Sequence, residues 1–370
     1  MTEPFGTLPD LLVALDGSPV TSLSQWPGRR AEIQRLSVPL AYGEWPPIPG
    51  ETHGEVLHEA VVRSMREARL WTCRVVADGR HAFLLRLFAP AGPGPFPVVL
   101  HGDACWHYAV DAVIDDMLRR GYAFAQFNRV EIAPDRPGTP GTAGALAAWA
   151  WGYHRAVDAL LQLPLVDGSR IAVVGHSRGG KAALLAGATD ERIALTSANN
   201  SGAGGAGCWR WRGPGAETLA DITRAFPHWF GPQLAAYAGR EHALAFDQHF
   251  LKALVAPRAL FTTEALGDAW ANPLGTWVTH AAARRAYGWL GACGRLAIRY
   301  RAGGHAHTPE DWSALLDFAG HVFMGLPRPA DLDNPPPALA ASWWIEVVGS
   351  DPGACPAART RAGRSAACRA

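Results

Sequence analysis

The sequence has little net charge and no long apolar run. Charged residues make up 18% of the 370 residues, and the formal net charge is +1. No global field therefore attracts nucleic acid or an anionic membrane. A run of about eighteen apolar residues, the minimum for an ordinary membrane span, is missing. We expect neither nucleic acid nor a membrane as a partner.

Metal-binding, redox and secretion signals are also missing. The six cysteines are far apart and form no C-x-x-C pair, so neither zinc spacing nor a redox motif is visible. The histidines lack the H-E-x-x-H spacing of a metallohydrolase. The first ten residues lack a basic start followed by an apolar stretch, so they are not a signal peptide. We expect no metal, no cofactor and a cytoplasmic location.

The segment 170–185 is organised around one serine. An apolar run breaks at Gly175, Ser177 follows, and small residues continue as a helix after Gly179. This G-x-S-x-G pattern is typical of a nucleophile elbow, in which a tight strand-to-helix turn exposes a serine hydroxyl. A side chain at either glycine would clash in such a turn. The alternative is a glycine-rich turn whose serine only caps the helix, but the flanking strand and helix signals favour the nucleophile.

Strand-like and helix-like segments alternate around the elbow, which indicates a doubly wound α/β sheet. Asp78-Gly79 between two strand-like runs predicts an antiparallel hairpin at its start. We therefore expect an α/β-hydrolase fold, a three-layer sandwich with a mostly parallel central sheet. We divide the chain into a leader packed on the domain (1–50), the catalytic domain (51–326) and a poorly ordered tail rich in Pro, Ala and Arg (327–370).

A serine nucleophile needs a base and a carboxylate that fixes the tautomer of the base. In this fold the chain order is serine, acid, histidine. After a late strand-like run come Glu264 and Asp268, and after the last one come His305 and His307. We expect His305 to be the base, because glycines free its loop, and His307 to be exposed polar surface. We expect Asp268 to be the acid, because Glu264 still touches the strand.

Seven segments resemble, in order and spacing, the glucuronoyl esterases of carbohydrate esterase family 15. They are 174–181, 199–205, 226–230, 246–249, 256–258, 267–273 and 302–305. The resemblance extends from about residue 8 to residue 323. It implies a serine esterase that cleaves esters of 4-O-methyl-glucuronic acid through an acyl-enzyme. The implied substrate is a carbohydrate ester, such as a glucuronoxylan fragment or a lignin–carbohydrate ester.

The resemblance also implies roles for individual residues. Ser177 matches the nucleophile and His305 the base, and Arg178 matches a side chain that helps to hold the oxyanion. Three further positions match residues that contact the sugar: Lys181, Glu217 and Trp270. The ordinary alternatives are a surface arginine, a solvated lysine and a core tryptophan.

One position departs from the family pattern. Many members carry their catalytic glutamate where this chain has Asn200, and asparagine cannot stabilise an imidazolium by charge. Other bacterial members have an aspartate at the position of Asp268. The expected triad is therefore Ser177, Asp268 and His305.

Two other functions compete with this interpretation. An acetyl xylan esterase or a broader carboxylesterase would not need the sugar-acid contacts of Lys181, Glu217 and Trp270. A carbohydrate-binding protein without activity would not need the intact Ser177 and its two expected partners. The sequence does not fix the oligomeric state, and our working expectation is a monomer.

Overall fold

The structure is a computed structural model, and it describes residues 6–138 and 143–337. Within these ranges nine strands form one sheet in the order β1-β2-β3-β5-β4-β6-β7-β8-β9. The strands are β1 (Thr52–Val62), β2 (Ala68–Ala77), β3 (Arg80–Ala89), β4 (Phe96–His101), β5 (Ala123–Phe127), β6 (Val166–His176), β7 (Leu195–Asn199), β8 (Ala259–Ala265) and β9 (Leu296–Arg301). The α-helices are α1 (Trp26–Tyr42), α2 (Asp111–Arg119), α3 (Ala145–Leu160), α4 (Arg178–Thr189), α5 (Leu219–Ala225), α6 (Gln248–Val255), α7 (Pro273–Trp289) and α8 (Pro309–Met324). None of the described helices is long and apolar enough to cross a membrane.

The sheet is antiparallel at one edge and parallel elsewhere. Strands β1, β2, β3 and β5 pair antiparallel, and β5, β4, β6, β7, β8 and β9 run parallel. Asp78 and Gly79 have φ of 47° and 73°, as a tight hairpin turn requires. The predicted hairpin and the mostly parallel sheet are confirmed. Strand β1 was not anticipated, because neither of its faces is buried and its sequence lacks apolar alternation.

Helices cover both faces of the sheet, and the two largest hydrophobic cores of the described residues lie between the sheet and these helices. Successive side chains of a buried parallel strand point to opposite faces. Val98 of β4 and Val173 of β6 accordingly join one core with α1, α3, α4 and α6. Val99 and Val174 join the other core with α2 and α8. This arrangement is the predicted three-layer sandwich.

Both ends of the described chain pack on this domain. In the leader, Arg30 of α1 donates through Nε to the Leu254 carbonyl of α6 at 3.2 Å. After α8, Leu332 is buried in the second core. Asp333 exchanges two hydrogen bonds with Ile298 of β9, at 2.8 and 3.0 Å. These last contacts lie within the predicted tail, whose residues 338–370 fall outside the described residues. The division of the chain into three parts stays a prediction.

The loops that follow the parallel strands meet at one edge of the sheet. They leave β4, β6, β7, β8 and β9 at residues 102, 177, 200, 266 and 302. In open α/β sheets this carboxyl edge is where ligands bind. All seven site residues expected from the sequence lie on these loops or on the elements next to them.

Candidate active site

Ser177 occupies a sharp turn between β6 and α4. Its φ of 55° and ψ of −121° are a conformation that residues with a side chain rarely adopt. A Cβ on Gly175 would lie 2.2 Å from the Gly179 carbonyl oxygen, and a Cβ on Gly179 would lie 2.0 Å from Asp103 Oδ2. Glycine is therefore required at both positions by close approach. This is the geometry of a nucleophile elbow.

A continuous hydrogen-bonded chain joins Ser177, His305 and Asp268. Ser177 Oγ lies 2.9 Å from His305 Nε2, and His305 Nδ1 lies 2.5 Å from Asp268 Oδ2. Burial by itself would raise the pKa of Asp268, but the hydrogen bond and the charge of His305 hold that pKa below its ordinary value. An ionised carboxylate can thus face an imidazole that accepts the serine proton.

The two candidates that we rejected from the sequence, Glu264 as the acid and His307 as the base, are both buried. Glu264 is fully buried within β8, and burial raises its pKa to about 8, so it is mostly protonated at neutral pH. His307 is not exposed polar surface, as we expected, but buried. Its ring stacks on Trp312 with centroids 4.2 Å apart, and burial lowers its pKa well below the ordinary value.

Arg178 is held beside Ser177 by a carboxylate that the sequence did not reveal. Its Nη1 donates to Asp135 Oδ2 at 2.6 Å, and its guanidinium lies 4.9 Å from the ring centroid of Trp229. Asp135 Oδ1 also accepts from Trp229 Nε1 at 2.8 Å and lies 3.0 Å from His228 Nε2. Burial opposes ionisation of Asp135, but hydrogen bonds from Trp229, Arg178 and His228 keep its pKa low. Arg178 is therefore an oriented side chain rather than a free surface arginine.

The three expected sugar contacts form one neighbourhood. Lys181 lies one turn after Arg178, and it is buried rather than solvated, with Nζ donating to the Ser201 carbonyl. Burial lowers the pKa of Lys181 to about 8 and raises the pKa of Glu217 to about 6. The negative charge of Glu217 opposes the lowering at Lys181, and the positive charge of Lys181 opposes the raising at Glu217. The Glu217 N–H donates to the Trp270 carbonyl at 3.1 Å. The Trp270 side chain is not in the core, since the residue is 54% exposed.

A buried polar layer that sequence reasoning missed supports the elbow from below. The ring of His176 lies 4.6 Å from the ring of His305, and burial lowers the pKa of His176 to about 4, so its imidazole is neutral. Asp103 accepts from the His176 N–H at 3.2 Å and pairs with the buried Arg129 at 2.6 Å. The one available signal was the position of His176 and Asp103 at the ends of two predicted strands. Among the described residues no group of three His, Cys, Asp or Glu side chains could hold a metal ion.

Comparison with known proteins gives consistent matches over most of the chain. The family model described as "Glucuronyl esterase, fungi" matches residues 80–291. A 4-O-methyl-glucuronoyl methylesterase of Podospora anserina is 32% identical over 314 residues, which cover 79% of this chain and 62% of that protein's length.

Solved structures agree with these sequence matches. A family 15 glucuronoyl esterase from Caldicellulosiruptor kristjansonii is similar with a TM-score of 0.78 and 31% identity, covering 91% of this chain and 96% of that one. A glucuronoyl esterase from Sporotrichum thermophile, solved with methyl 4-O-methyl-β-D-glucopyranuronate, has a TM-score of 0.77 and 26% identity, covering 95% and 96%.

Proposed function

This chain belongs to the glucuronoyl esterases of carbohydrate esterase family 15, and from that premise we propose that it hydrolyses esters of 4-O-methyl-glucuronic acid. The observation that carries the proposal is the hydrogen-bonded chain from Ser177 through His305 to Asp268, next to the buried pair of Lys181 and Glu217. The cytoplasmic location and the monomeric state remain predictions.

The proposed reaction begins with acylation of Ser177. His305 Nε2 takes the proton of Ser177 Oγ as the oxygen attacks the ester carbonyl carbon, and Asp268 stabilises the imidazolium that forms. The tetrahedral intermediate then collapses, the bond to the alcohol oxygen breaks, and His305 returns the proton to the leaving alcohol. A water molecule, activated by the same imidazole, next cleaves the acyl-enzyme and releases the uronic acid.

Arg178 is suited to the negative charge that develops on the carbonyl oxygen. Its backbone N–H is at the first position of α4, beside the serine, where backbone donors point at developing oxyanions. A guanidinium carries five N–H donors, so the ion pair with Asp135 orients the group without exhausting its donors. A positive donor adds more stabilisation than backbone amides alone.

Lys181, Glu217 and Trp270 support a sugar acid as the acyl group. A buried ammonium and a buried carboxyl are costly unless they find hydrogen-bonding partners, and the hydroxyls of a sugar ring supply both donors and acceptors. The exposed Trp270 offers a flat apolar face to such a ring. An acetyl group has no hydroxyls to use these contacts, and this favours a glucuronoyl esterase over an acetyl esterase.

The test compares hydrolysis of methyl 4-O-methyl-glucuronate with hydrolysis of an acetyl ester. We expect a higher kcat/KM for the glucuronate ester. Ser177→Ala should remove activity on both esters, whereas Ser169→Ala, at an exposed serine, should not. Lys181→Met should lower kcat/KM for the glucuronate ester only. Equal or faster turnover of the acetyl ester would instead indicate a broad carboxylesterase, and full activity of Ser177→Ala would end the serine mechanism.

A further inference from the structure

We propose that Asn200 is a positioning residue for the catalytic carboxylate, an inference that rests on the function proposed above. Asn200 follows β7 directly and is almost fully buried. Its Nδ2 donates to Asp268 Oδ2 at 2.8 Å. The same oxygen lies 2.5 Å from His305 Nδ1. One carboxylate oxygen therefore accepts hydrogen bonds from both the imidazole and the amide.

The amide of Asn200 is itself fixed in orientation. Its Oδ1 accepts the Ala265 N–H at 3.2 Å, and its own backbone N–H donates to the Thr263 carbonyl at 3.0 Å. An amide has one acceptor end and one donor end, so the bond from Ala265 leaves the NH₂ group for Asp268. Thr263 and Ala265 belong to β8, the strand that leads to Asp268. Asn200 thus ties the end of β7 to the end of β8 and to the carboxylate.

The chemistry requires a neutral donor at this place. A donor to a carboxylate favours its ionised form and fixes the direction of its lone pairs. A second, ionised carboxylate within hydrogen-bond distance would have no proton to donate and would repel the first one. Asparagine supplies the donor without a titrating group. Position 200 therefore contributes to the triad by orientation rather than by charge.

A purely structural role of Asn200 is the competing explanation, and two substitutions separate it from positioning. Asn200→Ala removes the donor. We expect kcat for the glucuronate ester to fall about tenfold or more, as for loss of a hydrogen bond to a charged group, with KM unchanged because the sugar contacts remain. Asn200→Asp keeps an acceptor for the Ala265 N–H and adds a negative charge. It should move the acidic limb of the kcat/KM profile to higher pH, by roughly one to two units, because the added charge favours the protonated imidazole.

A matched control is Asn272→Ala. Asn200 and Asn272 are both buried asparagines with a positive φ, of 43° and 57°. Among the described residues, however, the Asn272 side chain hydrogen-bonds only to backbone groups. This variant should lose thermal stability without any shift of the pH profile. If the Asn200 variants likewise lose stability while kcat and the acidic limb stay as in the wild type, the positioning role is wrong.

A readout that needs no substrate distinguishes failure of this inference from failure of the proposed function. The short contact between His305 and Asp268 should give a downfield ¹H NMR signal for the His305 Nδ1 proton, identified by its loss in His305→Ala. We expect the signal to shift in Asn200→Ala and to stay in place in Asn272→Ala. An unmoved signal in Asn200→Ala overturns the inference even if the protein proves inactive on glucuronate esters. A shifted signal in a protein without that activity supports the positioning role and refutes only the proposed substrate.

Discussion

Asp268→Asn is the substitution that tests the triad most directly. It replaces the carboxylate by an amide of the same shape and so removes one charge. In a simple triad the amide could turn its NH₂ group toward the imidazole and impose the wrong tautomer. Here Asn200 Nδ2 donates to the same oxygen at 2.8 Å and therefore demands an acceptor at that place. We expect the amide oxygen of the variant to keep facing His305, so that the tautomer survives and only the charge is lost.

The expected loss follows from the attraction between the carboxylate and the imidazolium. Two unit charges about 4 Å apart attract by about 4 kcal/mol at an effective dielectric constant near 20. Solvent screening makes this an upper figure, because the His305 side chain is 42% exposed. Since 1.36 kcal/mol corresponds to a factor of ten, kcat should fall by up to about 10³-fold. That is less than the roughly 10⁴-fold loss in a serine protease whose tautomer is also wrong.

Steady-state kinetics on methyl 4-O-methyl-glucuronate provide the assay, with Glu264→Gln as the control carboxylate. Adding Asn200→Ala to Asp268→Asn frees the amide to rotate, so the double variant should lose more, approaching 10⁴-fold. If Asp268→Asn stays within a few-fold of the wild type while Glu264→Gln abolishes turnover, the acid is misassigned. If neither variant matters, His305 acts without a carboxylate and the triad is wrong.

Three further predictions concern pH and stability. KM for the glucuronate ester should rise above pH 8, because Lys181, with a pKa of about 8, loses its charge there; Lys181→Arg should remove that rise, and a rise that persists in this variant would exclude Lys181 as its cause. The pKa of Glu264 is raised from 4.5 to about 8, so native Glu264 keeps a proton that the unfolded chain has lost, and the contribution of Glu264 to wild-type stability falls as pH rises from 4.5 to 8. In Glu264→Gln this loss is absent, so Tm of the variant minus Tm of the wild type should increase with pH across that window; a constant difference would contradict the shift. Asp333→Ala should lower Tm at pH 7 by roughly 5 °C, because it leaves Arg328 and the Ile298 N–H without their carboxylate partner; an unchanged melting curve would show that these contacts add nothing.

The sequence by itself determined the features that depend on neighbouring residues. The elbow was predictable because its G-x-S-x-G pattern is local, and the clash that requires glycine at 175 is with the nearby Gly179 carbonyl. The clash that requires glycine at 179 is with Asp103, which only the tertiary structure brings there. The hairpin was predictable because its tight turn needs a positive φ at two successive residues, which Asp78 and Gly79 adopt, and this requirement is local. The buried strands were predictable from their apolar runs, and the chain order of Ser177, Asp268 and His305 followed from the order of those strands.

Tertiary structure alone decided which distant side chains meet and which are buried. Asp135 lies 43 residues before Arg178, and Asn200 lies 68 residues before Asp268. Periodicity carries no information on such pairs, because they depend on the order of strands in the sheet and on the paths of the loops. Burial of Lys181 beside Glu217 likewise arises from several elements packing together. The sequence therefore predicted the reacting groups, and packing decided which groups orient and tune them.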